Sequence, residues 1–212
     1  MTRILTLTTI IAALWGCNDH AEGTVAAEVT EVAAEVTEAA AEQPEATPDA
    51  NAAGLTANGE NSTIAWIGAK ITKSHPGGFN EFSVEADTDG TTMTSIKGTI
   101  QVGSLFSDSD RLTGHLLDED FFEVATFATV TFTSSTIEPA SEGGHTVTGV
   151  LAMHGITKEI SFPAQIAVGE DGTATFDAEF NINRNDWGIK YPGRPDDAIK
   201  ELVVVKLDFN LS

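Results

Sequence analysis

The chain of 212 residues is short of several things, and each shortage excludes something. It has one cysteine, Cys17, so no intrachain disulfide can form and the core must carry the stability alone. It has 11 Lys and Arg against 32 Asp and Glu, a net charge of −21. Nucleic acid is thereby excluded, because its phosphates would be repelled. Charge is also a poor means of holding anionic lipid heads. No apolar run is long enough to cross a bilayer as a helix. No serine has a glycine-elbow setting, and no glycine-rich loop resembles a phosphate cradle. His75, His115, His145 and His154 show no metal-ligand spacing, so no metal site and no required cofactor are expected. Asp118-Glu119-Asp120 clusters carboxylates, but acid/base work needs one of them raised in an apolar pocket, and three acids in a row suit water better. The expectation is a protein that is not an enzyme.

What is present begins with a leader. Arg3 is followed by apolar and hydroxyl residues from Ile4 to Leu14, then Trp15, Gly16 and Cys17. A basic start, a short apolar stretch and a small residue before the cut describe a secretory signal over residues 1–17. Leu14-Trp15-Gly16-Cys17 resembles a bacterial lipobox, with Trp15 where a small residue is usual. In that reading Cys17 is acylated and holds the protein on a membrane of the cell envelope, facing the periplasm. The other reading is an ordinary signal that ends by chance in a cysteine. Residues 18–57 hold nine acids and no Lys or Arg, and a seven-residue repeat runs from Ala26-Ala27-Glu28-Val29-Thr30-Glu31-Val32 into Ala33-Ala34-Glu35-Val36-Thr37-Glu38-Ala39. Two copies with unrelieved glutamate repulsion do not make a coiled coil. The segment is expected to be a disordered tether, reaching on the order of 35 Å as a coil.

From residue 58 to 212 the texture is period two. Ile96, Gly98, Ile100 and Val102 share one face; so do Phe176, Ala178, Phe180 and Ile182, and Val203, Val205, Leu207, Phe209 and Leu211. With runs at Ile64–Ile71, Phe79–Ala86, Val130–Phe132, Thr146–Met153 and Ile160–Val168, about eight strands are expected, most with one wet face. Gly77-Gly78, Asp89-Gly90, Gly143-Gly144 and Asp171-Gly172 read as tight turns. Leu112 and Leu116, four apart after Ser107-Asp108-Ser109-Asp110, mark a short helix or lid after the third strand. Eight antiparallel strands either close into a barrel or split into a sandwich, and closure removes the edges. A barrel of that size is filled by its side chains or holds one small ligand. Gly98, Gly149, Ala164 and Ala178 interrupt the apolar rows. They either underfill the interior or fit the barrel's taper; the pattern leaves both open.

Particular residues go further. Arg111-Leu112-Thr113-Gly114-His115-Leu116-Leu117, Asp120-Phe121-Phe122-Glu123-Val124 and Ala128-Thr129-Val130-Thr131-Phe132-Thr133-Ser134 resemble the YceI-like family. So do Val147-Thr148-Gly149-Val150-Leu151, Met153-His154-Gly155-Ile156-Thr157-Lys158 and Ile182-Asn183-Arg184-Asn185-Asp186-Trp187-Gly188-Ile189. The resemblance implies an all-β, extended antiparallel lipocalin-like barrel with a polyisoprenoid in its channel, an isoprenoid quinone or a prenyl phosphate, and no catalytic activity. For such a lipid the head-group candidates are His75, Arg111, His115, His154, Arg184 and Lys190. Arg111 and Arg184 could equally pair with Asp110 and Asp186. Trp66, Phe79, Phe132, Phe162, Phe180 and Trp187 are the tail contacts, with Gly98, Gly149, Ala164 and Ala178 leaving the room. The rings serve as well as plain core. Two readings stay beside the carrier: an envelope adaptor with a filled barrel, and an enzyme acting on an isoprenoid lipid, which would show a hydrogen-bonded His–carboxylate pair in its pocket.

Overall fold

The alternating segments become strands in a computed structural model that describes residues 21, 23–31 and 53–212. In chain order these are β1 (Glu28–Glu31), β2 (Ala53–Asn58), β3 (Thr63–Ala69), β4 (Ser74–Phe79), β5 (Phe82–Thr88), β6 (Met93–Gln101) and β7 (Leu105–Ser107). Helix α1 (Asp110–Leu117) follows, then β8 (Thr129–Pro139), β9 (His145–Met153), β10 (Ile156–Val168), β11 (Ala174–Asn183), β12 (Gly193–Arg194), β13 (Asp197–Ala198) and β14 (Leu202–Leu211). A 3-10 turn, Arg184–Trp187, leaves β11. Twelve strands form one antiparallel sheet in the order β2-β5-β6-β8-β9-β10-β11-β14-β3-β4-β7, with β1 added to β10. The sheet curls until β2 meets the far end of β14, where Thr56 and Ser212 exchange N–H···O bonds of 3.1 Å each.

The sheet therefore has more strands than the eight expected, and the helix follows the seventh strand in chain order rather than the third. The reasons are local. Asn80 and Glu81 split the run Phe79–Ala86 between β4 and β5, and β7 is three residues long, too short to show a period. Two strands lie where a tether was expected. β2 carries the folded region back to residue 53, and β1 pairs Glu28–Glu31 with Lys158–Ser161. The tether reading fails there because Ala27-Glu28-Val29-Thr30 also alternates, and Val and Thr suit a pleated surface. Ala27 is buried, Val29 packs on the core, and Glu31 pairs with Lys158. The leader 1–17 with Cys17, and the second repeat 33–39, lie outside the described residues.

β1 occupies a seam. β10 pairs with β9 from Ile156 to Ala164 but with β11 only from Gln165 to Val168. Beyond Asp177 the two strands part. On the outside the gap is bridged by β1 on β10 and by Asn181 of β11, whose N–H donates to Val25 and whose carbonyl accepts from Ala27, both at 2.9 Å. Inside, Phe162 and Phe180 stack across the seam at 4.2 Å.

Gly77 and Gly78 are inside β4 and make no turn. Their lack of a Cβ serves close approach: an added Cβ would stand 2.1 Å from Trp66 Cζ2 at Gly77, and 2.8 Å from Phe106 Cζ at Gly78. True turns are at Gly90, Gly143, Gly144 and Gly172, all with positive φ. The β9–β10 turn is made by His154 and Gly155, with φ of 50° and 71°. One end of the sheet is plugged by Phe176 and Phe209, stacked at 5.7 Å, with Phe82 beside them and Leu211 fully buried.

Candidate functional site: an apolar cavity with a polar mouth

Period-two geometry sends alternate side chains of every strand to the same face. Ile64 and Trp66 of β3 stand opposite Leu207 and Val205 of β14, and Gly98 of β6 lies between Val84 and Phe132. These inward rows surround a cavity of about 1020 Å³ instead of meeting at its centre. Its wall is Ile, Leu, Val and Phe over most of its extent, including Phe79, Ile100, Phe132, Phe162, Phe180 and Val203. The interior is hollow.

Polar groups gather where the cavity reaches the surface. Lys70, His75, Arg111, His115, Arg184 and Lys200 line it there, with Ser109 and Asp118. Leu112 and Leu116 of α1 line it too, and no residue of the helix is fully buried. The helix lies over the mouth as a lid. His75 Nδ1 donates to Asp108 Oδ1 at 2.7 Å, and Lys73 Nζ reaches the same carboxylate at 3.2 Å. His115 Nε2 lies 3.0 Å from Asp120 Oδ2, with its ring edge-on to Phe121 and Tyr191 at 5.0 and 5.1 Å. Ser107 N–H donates to Thr113 Oγ1 at 2.9 Å.

Electrostatics follow from these contacts. The hydrogen bond from His75 holds the Asp108 carboxyl below its ordinary range, and that from Lys70 does the same for Asp197. A carboxylate depressed in the folded state adds stability above its unfolded pKa, near 3.9, and loses it as pH falls through the folded value. Thermal melts should therefore drop as pH falls below about 4. Asp197→Asn should melt lower at neutral pH and show a shallower acid slope; an unchanged slope would refute that assignment.

The expected head-group residues separate into two sets. His75, Arg111 and His115 line the mouth. Arg184 lines it as well, but its guanidinium is buried and its donors go to the carbonyls of Lys200 (3.0 Å), Ile189 and Ile199 (3.4 Å). It clamps the 184–200 loop, and its partners are these carbonyls instead of Asp186. His154 does not line the cavity: it is a turn residue whose Nδ1 donates to Trp187 O at 3.0 Å. Lys190 is exposed and off the wall. Among the tail candidates Trp66, Phe79, Gly98, Phe132, Phe162 and Phe180 line the cavity. Trp187 does not; it is fully buried, with Nε1 donating to Leu151 O at 3.3 Å. Ala164 and Ala178 are buried in the core and do not line the cavity, although Ala178 shares an inward row with Phe176 and Phe180, which do. Gly149 acts at one remove: a Cβ there would stand 2.5 Å from Phe132 Cζ, so its absence lets that ring lie against the wall.

Two basic residues that line the mouth, Lys70 and Lys200, were not among the candidates read from the sequence. The signal for Lys70 was its parity, since Ile64, Trp66, Gly68 and Lys70 continue one inward row. Gly77 was missed as a site residue because two glycines in sequence suggest a turn, whereas here Trp66 lies flat on the strand. Among the described residues no three His, Cys, Asp or Glu converge to hold a metal ion.

The comparisons fit this shape. The YceI-like domain model matches residues 55–211. The chain belongs to the YceI-like family. A UPF0312 protein of Pseudomonas fluorescens (strain SBW25) is 33% identical over 148 residues, 64% of this chain and 74% of that one. One from Shewanella sp. (strain ANA-3) is 31% identical over 136 residues, covering 61% and 71%. Among solved structures, BcnA of Burkholderia cenocepacia superposes with a TM-score of 0.64 at 24% identity, over 70% of this chain and 95% of that one. A polyisoprenoid binding domain from Saccharophagus degradans superposes at 0.57 with 17% identity, over 74% and 97%. Both likenesses are of fold. The matched region begins after β1, so the seam-bridging segment lies outside the YceI-like domain.

Proposed function

We propose that this YceI-like protein is an exported, lipid-anchored carrier. It holds a long polyisoprenoid lipid, an isoprenoid quinone or a prenyl phosphate, with its tail in the barrel and its head at the mouth. The observation that carries the reading is the cavity. It offers about 1020 Å³ behind walls that are almost wholly apolar, and each Å² of wall and tail taken from water is worth about 25 cal/mol. Water is a poor filling, because an ordered water needs two to four polar partners and the walls are apolar. A long hydrocarbon fits the volume and the chemistry. The Saccharophagus neighbour, a polyisoprenoid binding domain, supports the same ligand class. His75, Arg111, His115 and Lys70 are the head-group set. Acylation of Cys17 and an envelope location facing the periplasm rest on the leader's pattern.

Organic extraction of protein purified from cells, followed by mass spectrometry, tests this. A prenyl lipid at near one-to-one stoichiometry is expected; full-length protein that carries no lipid overturns the reading.

One observation favours the enzyme alternative. The His–carboxylate contact it requires occurs twice, at His75–Asp108 and His115–Asp120. Against it, none of the hydrogen bonds of the described residues joins a side-chain hydroxyl to either imidazole, so neither pair is set up as a Ser–His-type nucleophile. Extracted lipid of unaltered mass after prolonged incubation is expected of a carrier.

A further inference from the structure

We propose that the mouth end of the barrel is a bilayer-docking surface, touching the lipid through Val25, Ile71 and Leu202 and held there by the docked segment 21–31. The proposal deepens the carrier reading and rests on its acylated Cys17.

Four large apolar side chains are exposed among the described residues: Val25 (58%), Ile71 (62%), Phe106 (43%) and Leu202 (38%). Three of them share one end of the molecule. Ile71 follows Lys70 in the β3–β4 turn, and its N–H donates to Ala198 O at 3.1 Å. Leu202 opens β14 opposite Asn183, and Val25 accepts from Asn181, two residues along the same strand. Lys70 and Lys200, which line the mouth, are joined to this end through Lys200 N–H and Ala69 O at 2.7 Å. Isolated exposed apolar residues need no explanation. Here Ile71 and Leu202 follow the mouth-lining Lys70 and Lys200 within two residues, and Val25 stands on the outer wall beside that end, which is a grouping and not scatter.

Charge points the same way. In a chain of net −21 with eleven Lys and Arg, seven of the basic residues, Lys70, Lys73, Arg111, Arg184, Lys190, Arg194 and Lys200, are at this end. Asp108, Asp110, Asp118, Glu119, Asp120, Asp186, Asp196, Asp197 and Glu201 lie among them and outnumber them only slightly, so this end is far less acidic than the rest. An anionic leaflet repels this face least.

Distance decides the orientation. Ala21 is 8% exposed, and Asn181 Nδ2 donates to the carbonyls of Thr24 at 3.0 Å and Ala21 at 3.5 Å. From Cys17 to Ala21 is four peptide steps, at most about 14 Å. A free tether of 40 residues would have reached roughly 35 Å in any direction. β14, ten residues long, spans about 33 Å from the mouth to the plugged end. An acyl group on Cys17 therefore reaches a membrane at the mouth and not one at the opposite end. A lipid leaving the cavity would enter the bilayer without crossing water.

The test uses the full-length acylated protein in vesicles of phosphatidylethanolamine and phosphatidylglycerol, with some lipids brominated on the acyl chain. A fluorophore is attached through Ile71→Cys, Leu202→Cys or, in the β10–β11 turn at the plugged end, Glu170→Cys. Quenching by bromolipid of at least twofold is expected at 71 and 202 and none at 170. The double variant Ile71→Glu/Leu202→Glu should lose vesicle contact at the mouth yet keep its extractable lipid. Equal quenching at all three sites, or none at 71 and 202, overturns the proposal; so does protein that does not float with vesicles, or a mouth that crosslinks to an envelope protein instead. Quenching at the mouth in protein without extractable lipid would leave docking standing and remove the carrier reading.

Discussion

Gly98→Phe should empty the protein of lipid and leave the fold intact. Gly98 lies on β6 facing the cavity, and a Cβ added there meets only Ser83 O at 3.7 Å and Val84 Cγ2 at 3.8 Å, ordinary contacts. The new ring has one direction to go, into the space a tail would fill, flanked by Val84 and Phe132. Burying it gains roughly 1.5–3 kcal/mol. Replacing a strand glycine also removes freedom from the unfolded chain. Extractable lipid should fall at least tenfold, with the melting temperature equal to or above that of the parent. Mass spectrometry and calorimetry on one preparation decide it, and undiminished lipid in a well-folded variant would mean that the ligand binds elsewhere.

Gly77→Ala should do the opposite, damaging the fold through a single methyl group. The added carbon would stand 2.1 Å from Trp66 Cζ2 and 2.3 Å from Phe106 O. The ring can move only inward, and the carbonyl belongs to β7, which pairs with β4 at this point. Overpacking of this kind costs about 1–3 kcal/mol. For a domain of this size that corresponds to a melting temperature lower by roughly 3–10 °C. Tryptophan fluorescence should shift as Trp66 is displaced, and Trp66→Leu in the same chain should restore part of the loss. An alanine variant that melts like the parent would refute the close-approach account.

These two glycines mark what the sequence does and does not reveal. Along β11, along β6 from Ile96 and along β14 from Val205, apolar and polar residues alternate, and the inward face can be read residue by residue. Gly98 is legible in this way, because it stands in an inward row between Ile96 and Ile100. Gly77 is not, since its role depends on a ring from β3 that reaches it only through the pairing Trp66↔Gly77. Arg184 shows the same limit for charge. Its place near the mouth suggests an anion, yet its hydrogen bonds are to backbone carbonyls of Ile189, Ile199 and Lys200, five to sixteen residues further along the chain. β1 was hidden for another reason: Ala27-Glu28-Val29-Thr30 satisfies a helical heptad and a strand alternation at once, and only an unpaired edge on β10 selects between them.

That selection also bears on how copies of the protein tolerate each other. With Cys17 acylated as proposed, the protein would move in two dimensions with every molecule oriented alike, so crowding would repeatedly present the same surface to its neighbours. An open sheet margin at the seam would invite one copy to stitch its strands to another's. In this chain the margin of β10 is already satisfied by β1, and what β1 turns outward is Glu28, Thr30 and Glu31, all largely exposed. Negative charge at that border repels its own image, which disfavours edge-to-edge pairing between copies.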